Sequence, residues 1–351
     1  MKSFNNGFSP SIAIVSNATH GGGAEKSMMA LHNEFIGRGL KSNLIALNTY
    51  LPNDSVPNVI ILSRNWKSGI MSTVKNYFKF KKTIKDINPN VIIVNCELPE
   101  LYISFSNFKG RKICVEHTTI PWHKKRNLGR LVRILLKIKK TEWVTVVKGQ
   151  NHIWFARENI NYIPNPYIPI SKKTKISDHN PSLTFIGGMK ENKRPEWVIK
   201  AGVICNLKVH VYGEGPLRNI LETKYKSFSE NLNFYGYVKD PWQTVSSNSL
   251  VVIPSEFEGD GMVVMETILF GNPIVLARNE DLLRFGLEDK HYFKNINELY
   301  AIIDQYKKNH FKELVALGDF RGKLKSERSI DKITDKWLEL IREPNMVVRS
   351  K

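Results

Sequence analysis

One stretch, Pro254–Pro273 (PSEFEGDGMVVMETILFGNP), narrows the possible folds more than any other. Ahead of it, Leu250–Ile253 is an apolar run of the kind buried as a strand. Ser255–Gly261 follows with two glycines and three carboxylates. Met262–Phe270 then has the spacing of a buried helix, stopped by Gly271-Asn272-Pro273, and Ile274–Ala277 is a strand again. Strand, glycine loop, helix, strand is the unit of an open α/β sheet, whose ligands lie in the crevice beyond the carboxyl ends of the strands. Glu258 falls in that crevice, and Glu266, eight residues on, falls about two turns along the helix wall.

Two carboxylates on one loop–helix unit suit a polyhydroxylated ligand. An ionised carboxylate only accepts hydrogen bonds, and sugar and ribose hydroxyls donate them. The amides of Gly261, Met262 and Val263 open the helix, and free amides at a helix start favour an anion such as phosphate. Acceptors for hydroxyls and donors for an anion thus stand side by side, as a nucleotide sugar requires. On pattern alone an ordinary surface loop with two solvated glutamates fits as well.

The segment resembles the E-x7-E signature of retaining glycosyltransferase family 4. Pro254-Ser255, Glu258-Gly259, Glu266 and Gly271-Asn272-Pro273-Ile274 stand in the frame of that family; Thr267 replaces its usual alanine and Asp260 a common aromatic. The resemblance implies an α/β fold of the GT-B type, two Rossmann-like domains facing each other across an interdomain cleft.

The length of 351 residues accommodates two domains. The expected boundaries are 1–167 for an acceptor-binding domain, 168–181 for a linker, 182–328 for a nucleotide-sugar domain, and 329–351 for a C-terminal helix packing back on the first domain. Cys96, Cys114 and Cys205 have no paired spacing, which argues against a disulfide framework or a zinc site and fits a cytoplasmic protein. The N-terminal apolar run is too short for a signal peptide, and no stretch reaches the length of a membrane-spanning helix. The net charge of +19 is uneven: residues 1–170 carry 24 basic and 9 acidic side chains, residues 171–351 carry 28 and 24. A basic half points to an anionic partner: nucleic acid, membrane or substrate.

Taken in order, Ser11–Ser16 reads as a buried strand, Asn17–Gly23 as a glycine loop ending His20-Gly21-Gly22-Gly23, and Ala24–Gly37 as a helix. That is a phosphate-binding arrangement without dinucleotide or P-loop spacing. Gly22, Gly23, Ala24 and Glu25 match a GG-A-E motif that, in the family, closes over the donor diphosphate and the acceptor. Strands follow at Ser42–Leu47, Val59–Leu62, Val91–Asn95 and Lys112–Val115, with a lysine-rich helix at Ile70–Ile87. His117 then sits at a strand's carboxyl end, and the resemblance gives it a hydrogen bond to the donor sugar or phosphate rather than a general-base role. Leu128–Lys140 is a basic amphipathic helix: Leu131, Ile134, Leu135 and Ile138 share a face, with Arg130, Arg133, Lys137 and Lys140 elsewhere. Its apolar face either packs on the core or meets anionic lipid at a membrane. No nucleic-acid motif accompanies the basic residues.

Glu142–Val147 reads as a strand, Lys148–Glu158 as a short helix, and Asn165 matches the family's I-P-N at the domain crossover. In the second half, strand Ser182–Gly187 leads to Gly188 and Lys193. In the family, an arginine and a lysine here clamp the diphosphate. Lys193 matches the lysine and Gly188 takes the arginine position, which leaves Lys190 or Arg194 for the second charge. Lys208–Tyr212 is a strand, Leu217–Tyr225 a helix, and Gly236-Tyr237-Val238 matches a segment that lines the family's base pocket.

The expected activity is therefore retaining transfer of a hexose from a UDP- or GDP-linked sugar to a glycan or lipid-linked acceptor, in surface polysaccharide or lipopolysaccharide assembly. Glu258, His117 and Lys193 form the catalytic set. Gly22, Gly23, Gly188, Lys193, Arg194, Val238, Glu258, Gly261, Met262, Val263 and Glu266 bind the donor. No cofactor or metal is expected beside the nucleotide-sugar co-substrate, because no D-x-D stands at a strand end. Two other readings stay open: a nucleotide-sugar epimerase of the same architecture, and a basic membrane-binding protein without enzymatic activity.

Overall fold

The computed structural model describes residues 10–19, 21–48, 56–64, 69–118, 121–123, 125–148, 160–168, 180–316 and 319–343. The chain divides into two compact units, Met1–Ile168 with Arg328–Lys351, and Pro169–Glu327.

In the first unit, β1 (Ile12–Ser16), β2 (Ser42–Asn48), β3 (Val59–Arg64), β4 (Val91–Asn95), β5 (Arg111–Glu116), β6 (Glu142–Thr145) and β7 (Ile160–Tyr162) form one parallel sheet in the order β3-β2-β1-β4-β5-β6-β7. The central strands are apolar at nearly every position because both faces are covered. On one face Ile12, Ile14, Val91 and Ile93 pack with α1 (Gly23–Gly37) and with Ile333, Trp337 and Ile341 of the C-terminal helix, Ile330–Arg342. On the other, Ala13, Val15, Ile92 and Val94 pack under α2 (Gly69–Ile87), α3 (Glu97–Phe105) and α4 (Arg126–Ile138). The C-terminal helix is tied at both ends. Arg38 of α1 bonds Asp335 at 2.5 Å and the Asp331 carbonyl at 3.0 Å. Arg111, paired with Glu142 through two 2.6 Å bonds, also donates to the carbonyls of Ile341 and Glu343, which a helix end leaves without partners of its own.

In the second unit, β8 (Ser182–Ile186), β9 (Lys208–Tyr212), β10 (Leu232–Gly236), β11 (Ser249–Ile253), β12 (Ile274–Ala277) and β13 (Tyr292–Phe293) form a parallel sheet in the order β10-β9-β8-β11-β12-β13. Its helices are α5 (Pro195–Cys205), α6 (Arg218–Lys224), α7 (Met262–Phe270), α8 (Glu280–Leu283), α9 (Ile296–Tyr306) and α10 (Asp319–Glu327); the C-terminal helix is α11. The loops close tightly over the strand ends: at Gly213 (φ +137°) an added Cβ would stand 1.8 Å from the Gly187 carbonyl oxygen.

Several elements escape the sequence reading, α10 among them. Helix α3 carries Pro99 in its first turn and starts from Cys96 at φ 76°, so neither a cap nor a clean apolar period announces it. The short α8 and the two-residue β13 are below the length at which periodicity speaks. Helix α9 begins at Ile296, capped by Asn295. The expected helix at 148–158, most of the linker, His20, Lys124 and the tail beyond Glu343 lie outside the described residues.

Trp337 is almost fully buried between α1 and the sheet. Trp337→Ala is expected to destabilise the first unit by about 3–5 kcal/mol, the ordinary cost of emptying a large aromatic site. Urea denaturation followed by far-ultraviolet circular dichroism measures it, and a loss well under this range would mean that α11 contributes little to that core.

Candidate functional site

In each sheet the strand order reverses once, between β8 and β11 in the second unit and between β1 and β4 in the first. At such a reversal the loops leaving neighbouring strands turn toward opposite faces and open a crevice.

At the β8/β11 reversal, the loop after β8 carries Gly188 and Lys193, and the loop after β11 carries Ser255, Glu258 and Gly261. The two loops are joined through the backbone, Glu256 N–H donating to the Asn192 carbonyl at 2.8 Å. They are joined again through side chains: Lys193 Nζ donates to Glu258 Oε1 at 2.5 Å, and Ser255 Oγ donates to the same oxygen at 2.8 Å. Both partners are largely covered, Lys193 at 26% and Glu258 at 14% side-chain exposure. One carboxylate oxygen thus takes two donors, and Oε2 takes none from the described residues. The ammonium has two further N–H groups. The direct Lys193–Glu258 pair was not anticipated from the sequence, where the two had separate roles.

Helix α7 starts beside these groups. Gly261 adopts the left-handed conformation at φ 67°, and an added Cβ would lie 2.7 Å from the Phe285 ring, so only glycine fits. The turn leaves the first α7 amides, Met262 and Val263 among them, without acceptors in their own helix. Glu266, buried within α7, accepts from the Trp242 indole Nε1 at 3.0 Å. That indole partner is a contact with no sequence signal. Val238 is half-buried in the loop after β10. Arg194 is turned toward Glu256, 3.6 Å away, with its guanidinium over the Trp197 ring at 5.0 Å. Its charge is therefore balanced locally, while Lys190 is exposed and packs its stem against Gly188.

At the first unit's reversal, β1 ends in the glycine loop and β4 ends at Asn95, just before Cys96. Gly22 caps α1 and Gly23 is its first residue; the Gly22 amide donates to Glu25 Oε2 at 3.0 Å, which gives Glu25 a capping role. Asn95 Nδ2 donates to Ser16 Oγ at 3.1 Å and locks the two strand ends together. On the neighbouring strand, β5, Glu116 precedes His117. Both imidazole nitrogens are shut off from solvent and have no hydrogen-bond partner among the described residues. Closed-off ring nitrogens without a partner are costly and rare. Burial pushes its pKa down to about 4, with the Glu116 carboxylate pulling the other way.

Beneath His117 lies a charged cluster that the sequence did not reveal. Arg133 of α4 donates to Glu100, at 3.4 Å, and to Glu116, and stacks over Trp143. The Trp122 indole donates to Glu100 at 2.8 Å. Burial drives Glu100 up to about 7 against the pull of Arg133. This overturns the core-packing alternative for the apolar face of α4: Leu131, Ile134 and Ile138 face outward together, while Arg133 is on the inner side with Gly129, Val132 and Leu136. Interior carboxylates outweigh the apolar stripe in setting the helix's rotation.

Comparison with known proteins bears on the fold and the class of activity. Residues 180–329 match the family model of group 1 glycosyl transferases. Over 348 residues the chain is 24% identical to an uncharacterized glycosyltransferase of Haemophilus influenzae, covering 92% of this chain and 97% of that one. It is also 24% identical over 298 residues to an undecaprenol-linked glycan α-1,4-N-acetyl-D-galactosaminyltransferase of Campylobacter jejuni, covering 78% of this chain and 80% of that protein. Among solved structures, Anabaena HepE in complex with UDP and glucose superposes with a TM-score of 0.76 at 13% identity, over 95% of this chain and 100% of that one. The fold is GT-B, with two Rossmann-like parallel-sheet domains. The activity class these likenesses support is glycosyltransfer.

Because His117 titrates near 4 when folded and near 6.5 when unfolded, its neutral form contributes stability that is complete above about pH 6.5. That contribution is lost as pH falls through 4. His117→Gln is expected to flatten the stability profile between these limits relative to the unaltered protein, read by urea denaturation at several pH values. Parallel profiles would show that the imidazole is not held neutral.

Proposed function

We propose that the chain is a retaining hexosyltransferase using a nucleotide-diphosphate sugar, with the second unit binding the donor. The observation that carries this is the array at the β8/β11 reversal: Lys193, Ser255 and Glu258 hydrogen-bonded together beside the opening turn of α7. Glu258 Oε2 accepts from a hydroxyl of the transferred sugar. Lys193 and the amides of Gly261, Met262 and Val263 stabilise the diphosphate as the glycosidic bond breaks, since fixed donors aimed at developing charge lower the barrier. Glu266, oriented by Trp242, accepts from the ribose hydroxyls. Gly188 keeps the backbone open for the pyrophosphate, and Val238 lines the base site. In the first unit, both nitrogens of His117 are without a partner among the described residues, while the Gly22 amide is already taken by Glu25 Oε2. The acceptor attacks from the side that the diphosphate leaves, and a diphosphate oxygen takes its proton. No divalent metal is required, the cationic role falling to Lys193 and the amides.

The acceptor is proposed to be glycan or lipid-linked, in surface polysaccharide or lipopolysaccharide assembly; the Campylobacter relative, by its name, acts on an undecaprenol-linked glycan. Among the described residues no helix is long and apolar enough to cross a membrane. We propose a peripheral contact with anionic lipid on the cytoplasmic side instead. Its support is the outer surface of the helices over one face of the first sheet. Ile134 (52%) and Ile138 (72%) of α4, and Ile70 (84%) and Phe78 (62%) of α2, stand exposed among Lys75, Lys81, Lys82, Arg130 and Lys137. Apolar anchors ringed by lysine and arginine suit a headgroup boundary.

Thermal shift against a panel of UDP- and GDP-sugars identifies the donor; a ligand at a hundred times its Kd adds about 2.7 kcal/mol. With that donor, Lys193→Ala, Glu258→Gln and Glu266→Gln are each expected to lower transfer, Lys193→Ala by on the order of 10²- to 10³-fold, and EDTA to leave it unchanged. Normal turnover in all three variants would remove the site assignment. Isomerisation of the donor with no acceptor present would replace transferase by epimerase.

For the lipid contact, cosedimentation with phosphatidylglycerol vesicles is expected to weaken in an Ile134→Glu/Ile138→Glu double variant and to fall with added salt. Equal binding by the variant and the unaltered protein would discard that surface.

A further inference from the structure

The loop carrying Glu258 is held by one short segment to which the reading above gives no part. Four side chains of Asn279–Phe285 meet the loop at four successive places. Asn279 Nδ2 donates to the Ser255 carbonyl at 2.8 Å, while its Oδ1 accepts from the Leu282 amide at 3.0 Å and so caps α8. Asp281 Oδ2 accepts from the Glu258 amide at 2.9 Å. The Arg284 guanidinium donates to the Gly259 carbonyl. The Phe285 ring closes against Gly261, leaving no room for a Cβ there.

A loop with two glycines in seven residues has many conformations open to it, and ordering each residue costs about 1–2 kcal/mol of backbone entropy. Each contact from the α8 segment is made to backbone or to a glycine, so its effect is on where the chain runs. The Asp281 carboxylate takes up the amide of the very residue whose side chain meets Lys193.

We propose that Asn279 and Asp281, assisted by Arg284 and Phe285, are positioning residues for the donor site. They fix the backbone of residues 255–261 so that the Glu258 carboxylate and the α7 amides engage the sugar and the diphosphate at the same time. The proposal rests on the transferase reading of Glu258. It makes the function of Asp281 geometric: an acceptor oxygen is needed at that point and a negative charge is not. Asparagine offers such an oxygen and alanine does not.

The test compares Asn279→Ala, Asp281→Ala and Asp281→Asn with the unaltered protein and with Glu258→Gln. Hydrogen exchange of residues 255–261 is measured by mass spectrometry in the ligand-free chain, and kcat and donor KM with UDP-glucose and GDP-mannose. Exchange is expected to quicken by about tenfold or more in the two alanine variants, each contact being worth more than about 1 kcal/mol locally, and to stay near the unaltered rate in Asp281→Asn. Turnover is expected to fall by about 10- to 100-fold in kcat in the alanine variants, as for a small misplacement of a catalytic group, with donor KM little changed and Asp281→Asn restored. Unchanged exchange in both alanine variants overturns the proposal. So does an Asp281→Asn variant as impaired as Asp281→Ala, because charge would then be what matters. Should Asp281→Ala not fold, Asn279→Ala carries the same comparison through the Ser255 carbonyl. Normal turnover in Glu258→Gln would sink the transferase assignment of that carboxylate, while the exchange data would still decide whether the segment holds the loop.

Discussion

The constraint on which the second unit depends is the handedness of parallel β–helix–β crossovers. A right-handed crossover determines which face of the sheet a helix covers, given the direction in which the sheet grows. From β8 the chain grows outward through β9 to β10, and after β11 it grows the other way through β12 to β13. The loops after β8 and β11 are therefore sent to opposite faces although their strands are hydrogen-bonded neighbours. The gap between them is forced by topology, and side chains on either loop reach into it from opposite sides. Lys193 and Glu258 meet because each stands on one of these two loops.

An ion pair in such a gap has a different meaning from one on an open surface. Exposed pairs contribute little, about 0–1 kcal/mol. Here both groups are mostly covered, and Ser255 shares the carboxylate oxygen. The lower effective dielectric strengthens the pairing, and it equally strengthens the attraction of the ammonium for an incoming phosphate. The pair keeps each charge solvated by its partner. On the proposed reading, a diphosphate would take the remaining N–H groups and a sugar hydroxyl would donate to Oε2 without either charge being left bare. Arg194 does not duplicate this cation, since Glu256 and Trp197 already engage it.

Much of this was legible in the sequence because the elements involved speak in local patterns. Met262–Phe270 and Ile274–Ala277 are read to the residue, since glycine and proline punctuate an otherwise apolar run. Strand ends in the first unit are found to within about two residues, the ordinary uncertainty of element boundaries. What stayed hidden is what depends on distant partners. Asp281 and Asn279 look like loop residues of no consequence until α8 brings them under Glu258. Trp242, 24 positions from Glu266, has no pattern connecting the two. Glu100 and Glu116 lie 33 and 17 positions from Arg133, and nothing in the spacing says that all three are buried.

That last cluster also explains why the hydrophobic stripe of α4 points outward. With Leu131, Ile134 and Ile138 turned to the core, Arg133 would swing away from Glu100 and Glu116. Two carboxylates would remain buried with their cation withdrawn, a loss of about 3–5 kcal/mol for a broken buried pair. Burying the three aliphatic side chains instead would return about 1.5–3 kcal/mol each, but the same rotation would expose Val132 and Leu136, so the net return is about one side chain's worth and falls short of that loss. Packing works in the same direction. Val132 and Leu136 already fill the space over Trp143 and Cys114, and Gly129 lets the helix approach Trp122 so closely that a Cβ would stand 2.4 Å from the ring. A rotated helix would have to place isoleucine where glycine now fits. The exposed apolar stripe is thus a consequence of how the interior is satisfied.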